Sequence, residues 1–236
     1  MRAVILAGGL GKRLAPYTNV LPKPLMPIQE MPIIEIVIRQ LKFYGIKRIT
    51  LCVGYLGSLL EAYLGDGSSL DVNIDYSYEK EPLGTAAPIK LLRDLDEPFL
   101  MMNGDLLTNL NFGKLLNFHL NHDEVISISI FEKTLKTGLG VISFDESGFL
   151  QKYEEKPSFD FSVSMGIYAM NPEVLSFIPE GAFFDLPDLI NLLLKKKIKI
   201  KIYKENCTWL DVGIISDYEE ACNLFQEDKS FFLPEK

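Results

Sequence analysis

Through its first half the sequence alternates short apolar runs with segments of helical period, and this alternation limits the possible folds more sharply than any other feature. Ala3 to Ala7 is an apolar run halted by Gly8-Gly9, the pattern of a strand buried on both faces that ends in a loop. Ile33, Ile34, Val37, Ile38 and Leu41 then recur at helical spacing, predicting a helix from Ile33 to Tyr44 that Gly45 ends. Further strands are predicted at Ile49 to Val53, Val72 to Tyr76, Phe99 to Met102 and Val125 to Phe131, with helices at Leu56 to Leu64, Thr85 to Leu92 and Phe112 to His122. Strands separated by helices imply parallel crossovers, hence an α/β fold: a Rossmann-like open sheet, mixed but mostly parallel, flanked by helices. Ligands of such sheets sit at the carboxyl ends of strands.

After Val125 the pattern changes to strands with turns, at Gly140 to Phe144, Phe149 to Glu155 and Met165 to Met170, and then to a helix-rich stretch. This half is expected to form a lid or a second-ligand subdomain. Lys197 to Tyr203 alternates Lys and Ile as a half-buried strand would, with the lysines facing solvent at a sheet edge. No hexapeptide repeat announces a β-helix. At 236 residues and 47% hydrophobic content one substantial core is affordable, so one main domain is expected, with disorder only after about Glu227.

The net charge of −8 argues against a nucleic-acid partner, because an anionic surface repels phosphate backbones. Cys52, Cys207 and Cys222 are an odd number at unrelated spacings, which suggests neither a disulfide framework nor a zinc site; Cys52 and Cys222 read as small core residues. The apolar run after Met1-Arg2 is too short for a signal peptide, and no segment approaches the ~20 apolar residues of a membrane span. No membrane partner is expected, and the cytoplasm is the expected address. His119 and His122, three apart on a helix, read as surface or partly buried histidines for want of a further ligand.

Leu6-Ala-Gly-Gly-Leu-Gly-Lys-Arg13 places three glycines directly after the first strand, where backbone N–H groups can converge on a phosphate. Two familiar loops are excluded by residues. The dinucleotide fingerprint needs glycine where Leu14 stands, and the P-loop needs Ser or Thr where Arg13 stands. A glycine turn alone is common, but Lys23 follows between prolines in Leu21-Pro-Lys-Pro-Leu25, which fix the backbone around one cation. Singly, Arg13 or Lys23 reads as a surface ion pair; together, behind a glycine loop, they suit a polyphosphate whose charge must be neutralised while phosphorus is attacked. Met101-Met-Asn-Gly-Asp105 sets a carboxylate at a strand's carboxyl end, unless that Asp serves only a turn. Carboxylates suit Mg²⁺, a hard ion that takes few protein oxygens. Trp209-Leu-Asp-Val-Gly213 supplies a second one.

Gly8-Gly-Leu-Gly-Lys-Arg-Leu-Ala-Pro-Tyr-Thr18 with Leu21-Pro-Lys-Pro-Leu25 resembles the signature of the sugar-1-phosphate nucleotidylyltransferases, the similarity continues to about Asp217, and the segment Glu79 to Ala86 resembles the mannose-1-phosphate guanylyltransferases in particular. The family usually has Thr where Lys12 stands. The resemblance implies the nucleotide-diphospho-sugar transferase fold without a C-terminal β-helix. It implies a single catalytic domain over 1–227, with a nucleotide-binding half (1–124), an acceptor-sugar half (125–227) and a tail at 228–236. It also implies a Mg²⁺-dependent enzyme whose partners are a nucleoside triphosphate, GTP favoured, and a sugar 1-phosphate such as mannose 1-phosphate. A homo-oligomer is compatible with it.

By the same resemblance, Leu6, Ala7, Gly8, Gly9, Gly11, Lys12, Asn103 and Gly104 bind substrate, and Asp105 and Asp211 hold the metal. Arg13 would hold the leaving phosphates and Lys23 the α-phosphoryl oxygens. Tyr153-Glu-Glu-Lys-Pro157 matches an element in which Glu155 contacts sugar hydroxyls and Lys156 the acceptor phosphate, although unaided the run reads as an exposed strand end. Gly140 and Gly166 match glycines at which backbone approaches the sugar, with Leu139 where thymidylyl members carry Tyr. Glu79-Lys-Glu-Pro-Leu-Gly-Thr-Ala86 resembles the loop beside the base and includes Gly84 and Thr85. A carboxylate at Glu79 only accepts, so it suits guanine's N1–H and N2–H₂. A uridylyl- or thymidylyltransferase is the alternative. A non-catalytic nucleotide-sugar sensor is a third reading, against which the intact Arg13, Lys23, Asp105 and Asp211 argue.

Overall fold

The computed structural model describes residues 1–234. Along the chain, β1 (Arg2–Leu6) runs into the glycine loop, three short 3₁₀ turns and the two-residue strands β2 (Pro27–Ile28) and β3 (Met31–Pro32). Next come α1 (Ile33–Phe43), β4 (Arg48–Val53), α2 (Gly57–Leu64), β5 (Asn73–Tyr78), α3 (Ala87–Lys90), β6 (Phe99–Asn103), β7 (Leu106–Thr108) and α4 (Phe112–Leu120). The second half holds β8 (Ile126–Lys136), β9 (Val141–Phe144), β10 (Leu150–Glu154), β11 (Ser158–Met170), α5 (Leu186–Lys195), β12 (Lys201–Lys204), β13 (Trp209–Asp211), α6 (Ile215–Glu227) and α7 (Lys229–Phe232).

One seven-stranded sheet has the order β12-β8-β11-β6-β1-β4-β5. β6, β1, β4 and β5 are parallel, β11 is antiparallel to both β6 and β8, and β12 is parallel to β8. The mostly parallel mixed sheet is thus present, and both halves share it: β11, β8 and β12 extend the sheet instead of standing apart from it.

Alternation along β1 builds the layers. Ala3 and Ile5 pack on one side with Ile34, Val37 and Leu41 of α1, Leu60 of α2 and Leu115 of α4, while Val4 packs on the other with Ile89, Leu189 and Leu193. Each fully buried aliphatic side chain contributes about 1.5–3 kcal/mol, and a one-residue slip would exchange the two faces. The register of β1 is therefore fixed, and with it the position of the glycine loop. A third cluster joins α1 to the C-terminal helices through Ile33, Ile36, Leu107, Val212, Phe225 and Phe232.

Four expectations change. The helix expected from Thr85 to Leu92 contracts to α3, because Ala86 and Ala87 N–H donate to Phe184 O at 2.9 and 3.1 Å. β11 begins at Ser158 rather than near Met165, since Ser158 to Ser164 pair with the outer half of β8. The edge strand expected over 197–203 is confined to β12, as Ile198 and Ile200 pack against the core before pairing starts. The tail expected from 228 is structured through α7: Phe232 is buried, and the Gln40 amide donates to its carbonyl at 2.6 Å. Glu235 and Lys236 lie outside the described residues. All three cysteines are free; Cys52 is buried, which pushes its thiol up to about 12, and Cys222 is only half-buried. No helix among the described residues is long and apolar enough to cross a membrane.

Candidate active site

Neighbouring parallel strands set the floor of the site. Leu6 of β1 lies opposite Asn103 of β6, Gly104 N–H donates to Leu6 O at 2.9 Å, and Ala7 N–H donates to Cys52 O at 2.8 Å. Ala7 and Gly104 are thereby buried anchors whose amides are already engaged. Asp105 follows at once. β13 pairs antiparallel with β7 so that Asp211 stands opposite Leu106, and Val212 N–H donates to Asp105 O at 3.1 Å. Two carboxylates far apart in sequence thus arrive side by side.

Lys23 opens a 3₁₀ turn closed by Met26 N–H on its carbonyl at 3.0 Å, with Pro22 and Pro24 buried on either side. Its ammonium donates to Asp105 Oδ2 and lies 3.5 Å from Asp211 Oδ1. Arg13 is exposed, its guanidinium so close over Gly213 that a Cβ there would stand 3.1 Å from Nη2. All four charged groups named from the sequence therefore meet in one region. Burial pushes the Asp105 carboxyl above the usual carboxylate range, Lys23 opposes the rise, and Asp211 adds to it. Asp105 Oδ1 is buried with no hydrogen-bond partner among the described residues, and a cation would satisfy it. Two hard oxygen donors with one unengaged atom fit Mg²⁺, which needs few protein ligands.

A cavity of about 820 Å³ opens beside the cluster, within the roughly 300–1,000 Å³ of small-molecule sites. Leu6, Gly8, Gly9, Gly11, Lys12, Glu79, Gly84, Thr85, Asn103 and Asp105 line it. Thr18 Oγ1 donates to Gly11 O at 2.8 Å and holds the loop closed. Glu79 Oε2 accepts Leu83 N–H at 2.9 Å, while Oε1 faces Gly8, where a Cβ would come within 3.1 Å. Burial pushes the Glu79 carboxyl up, and the Leu83 bond opposes this. A second hollow, of about 720 Å³, is lined by Arg39, Lys42, Lys47 and Lys229. Those cations are already paired with Glu35, Asp71 and Glu30, so it lacks the free charge of the first.

The acceptor-side residues are dispersed. Gly166, at φ +69°, packs on the Asn103 side chain so closely that a Cβ would stand 2.6 Å from Nδ2, so only glycine lets β11 cross there. Gly140, Glu155 and Lys156 are exposed on the outer arm, outside the cavity wall. Tyr153 OH donates to Glu155 Oε2 at 2.7 Å and covers Gly140. Neither Glu155 nor Lys156 makes a hydrogen bond or ion pair with the Lys23 cluster.

The histidines hold structure. His119 is fully buried, deeper than expected, with Nδ1 2.9 Å from Ser127 Oγ and Nε2 3.2 Å from Asn171 Oδ1. His122 Nε2 shares the same hydroxyl at 2.9 Å. Among the described residues no group of three or more His, Cys, Asp or Glu side chains converges as a metal site.

Four wall residues escaped the sequence reading: Gly54, Tyr55, Phe183 and Asp185. Gly54 and Tyr55 follow β4, and the neighbouring parallel position of β4 was a usable signal for them. Phe183 and Asp185 come from the other half, where the only visible signal was that of a helix cap.

A strand-end glycine loop, converging carboxylates and a cation on an open α/β sheet define a nucleotide-binding protein that handles phosphates. A nucleotidyl transferase family model matches residues 2–228, and the chain belongs to that family. It is 30% identical to a UTP–glucose-1-phosphate uridylyltransferase of Synechocystis, over 99% of this chain and 66% of that protein. It is 35% identical to mannose-1-phosphate guanyltransferase beta-B of Xenopus laevis, over 100% of this chain and 68% of the relative. The chain spans about two thirds of the length of the curated relatives it matches. HddC of Yersinia pseudotuberculosis, crystallised with GMP-PN, superposes with TM-score 0.70 at 25% identity, covering 95% of this chain and 99% of that one. A Bacillus anthracis protein crystallised with sucrose shares the fold, with TM-score 0.76 at 24% identity over 95% and 94% of the two chains.

Proposed function

We propose that the protein is a Mg²⁺-dependent enzyme that transfers a nucleotidyl group from a triphosphate, GTP by preference, to a sugar 1-phosphate such as mannose 1-phosphate, releasing pyrophosphate. The observation that carries the reading is the Lys23 ammonium set between Asp105 and Asp211 at the edge of the glycine-loop cavity. Mg²⁺ held by these carboxylates supplies, when bound, positive charge that offsets the charge growing on the α-phosphorus.

The chain's own residues supply position and charge. The loop amides of Gly8 to Lys12 receive the phosphates, and Arg13 holds the leaving β and γ groups. Lys23, turned away from its carboxylates, holds the α-phosphoryl oxygens. Lys156 steadies the acceptor phosphate, whose oxygen attacks the α-phosphorus in line as the α–β phosphoanhydride bond breaks and pyrophosphate leaves with the electron pair. The acceptor is already an anion near neutral pH, so no general base is needed. Glu79 accepts from N1–H and N2–H₂ of guanine.

The test is pyrophosphate release by the purified protein with Mg²⁺, each of four triphosphates and a set of hexose, amino-sugar and heptose 1-phosphates. GTP with mannose 1-phosphate or a related sugar is expected to be fastest. A maximum with UTP or dTTP would transfer the assignment to a uridylyl- or thymidylyltransferase, a reading that the Synechocystis relative favours. No release with any pair would overturn it.

A further inference from the structure

Phe183 and Asp185, from the second half of the chain, line the same cavity as Glu79. Phe184 N–H donates to Leu83 O at 2.9 Å, and Phe184 O accepts both Ala86 and Ala87 N–H. Asp185 Oδ1 accepts from Thr85 N–H at 2.9 Å and Thr85 Oγ1–H at 3.0 Å, while Thr85 Oγ1 accepts Leu186 N–H at 2.8 Å. Gly84, between the two bonded residues, has φ +88°, and a Cβ there would stand 2.8 Å from both Asp185 Oδ1 and Phe184 O. The turn is thus held against 184–186 by these bonds, and a side chain at 84 would collide with them. It also carries Leu83, whose N–H orients the Glu79 carboxylate. Beside it Phe183 lines the cavity and is 60% exposed, a large apolar surface open to a ligand.

We propose that Asp185 is a positioning residue for base recognition, fixing through Thr85 the turn that aims Glu79, and that Phe183 supplies the apolar surface against which the purine packs. The proposal rests on the reading of this cavity as the triphosphate site. An aromatic ring offset against a base gains from stacking, and a carboxylate accepting two donors from one residue holds that residue more stiffly than a single bond does. The halves of the domain are then coupled at the base rather than only at the sugar.

Asp185 also begins α5, its N–H donating to the Asp188 carboxylate at 3.3 Å, so Asp185→Ala disturbs the helix start as well. Thr85→Val removes the hydroxyl and with it the acceptor of Leu186 N–H, but keeps the Thr85 N–H bond to Asp185 and the Asp185–Asp188 bond. Thermal unfolding of each variant is therefore measured beside binding. The experiment measures binding of a fluorescent-labelled GTP and steady-state kinetics for both substrates, in the wild type and in Thr85→Val, Asp185→Asn, Asp185→Ala and Phe183→Ala. For Thr85→Val and Phe183→Ala, we expect about tenfold weaker nucleotide binding and a similar rise in KM for the triphosphate, with kcat and the acceptor KM within about twofold. The preference for GTP over UTP should shrink in step. Asp185→Asn retains an acceptor oxygen and should recover most of the loss seen in Asp185→Ala. Unchanged nucleotide affinity in Thr85→Val and Phe183→Ala, or equal rises in both KM values, would overturn the proposal while leaving the activity standing. A wild type that binds no nucleotide would remove the underlying reading with it.

Discussion

The glycine-loop side of the cavity stands on β1 and β6, where Ala3, Val4, Ile5 and Phe99 to Met102 are wholly buried. The arm made by the outer halves of β8 and β11 and the β9–β10 hairpin is its opposite: Leu139, Phe144 and Phe149 are 75, 68 and 71% exposed. A strand clamped from both faces holds the loop at its end to a small positional error, and phosphates, whose geometry is common to every triphosphate, require that. An arm with little buried surface is among the low-stability parts of a fold and can change shape at small cost, which suits an acceptor that differs among relatives. On the proposed assignment, precision falls where the ligand is invariant, and adaptability where it varies.

The contrast is most easily broken at the charges. Lys23→Ala and Asp105→Ala should each lower turnover by about a thousandfold or more with the circular dichroism spectrum unchanged. Near-normal pyrophosphate release by either would show that the clamped side does not hold the chemistry. Stability should divide along the same line. Phe99→Ala should cost about 3–5 kcal/mol in urea unfolding, whereas Phe144→Ala should stay within about 0.5 kcal/mol; comparable losses would mean that the arm is as firmly packed as the sheet. A smaller effect is expected for Lys156→Ala, a rise of roughly tenfold in the acceptor KM with the triphosphate KM unmoved, as for loss of one charge-assisted hydrogen bond.

The finest test concerns the buried histidine of α4, at the end of the sheet away from both regions. Asn171 Nδ2 donates to Glu124 O, which leaves its Oδ1 as the acceptor for His119 Nε2–H and makes Nδ1 the acceptor for the Ser127 hydroxyl. Burial holds His119 below its ordinary 6.5, and His122 nearby adds to the fall, against opposing contributions from Asn171 and Glu124. A folded value below the unfolded one means stability is fully present above 6.5 and is lost as pH falls from there through the folded value. The unfolding free energy of the wild type should therefore decline from pH 7.5 to 5.5 more steeply than that of His119→Gln. Parallel curves would remove His119 from the account.

Where local pattern was enough, the reading from sequence holds. The run Ala3 to Ala7 ending in two glycines fixes both the first strand and the loop, since alternation and the stop are written in adjacent residues. Pro22 and Pro24 likewise announce a stiff Lys23. Longer reach was less legible. Thr85 looked helical because its neighbours have helical propensity, but its donors are taken by Asp185, a hundred residues away. The tail looked free because its polar residues hid Phe232, which fills a space between α1 and α6.

By itself, then, the sequence determined the layers of the fold and the place of the glycine loop, because hydrophobic period and turn residues act over a few positions along one chain. The charged groups were picked out with the help of family resemblance. Only tertiary structure decided that Asp211 meets Asp105, through the antiparallel pairing of β13 with β7, and that Phe183 and Asp185 line the same cavity as the glycine loop. Contacts between segments so distant depend on which faces pack together, and a single strand or helix does not encode its partner.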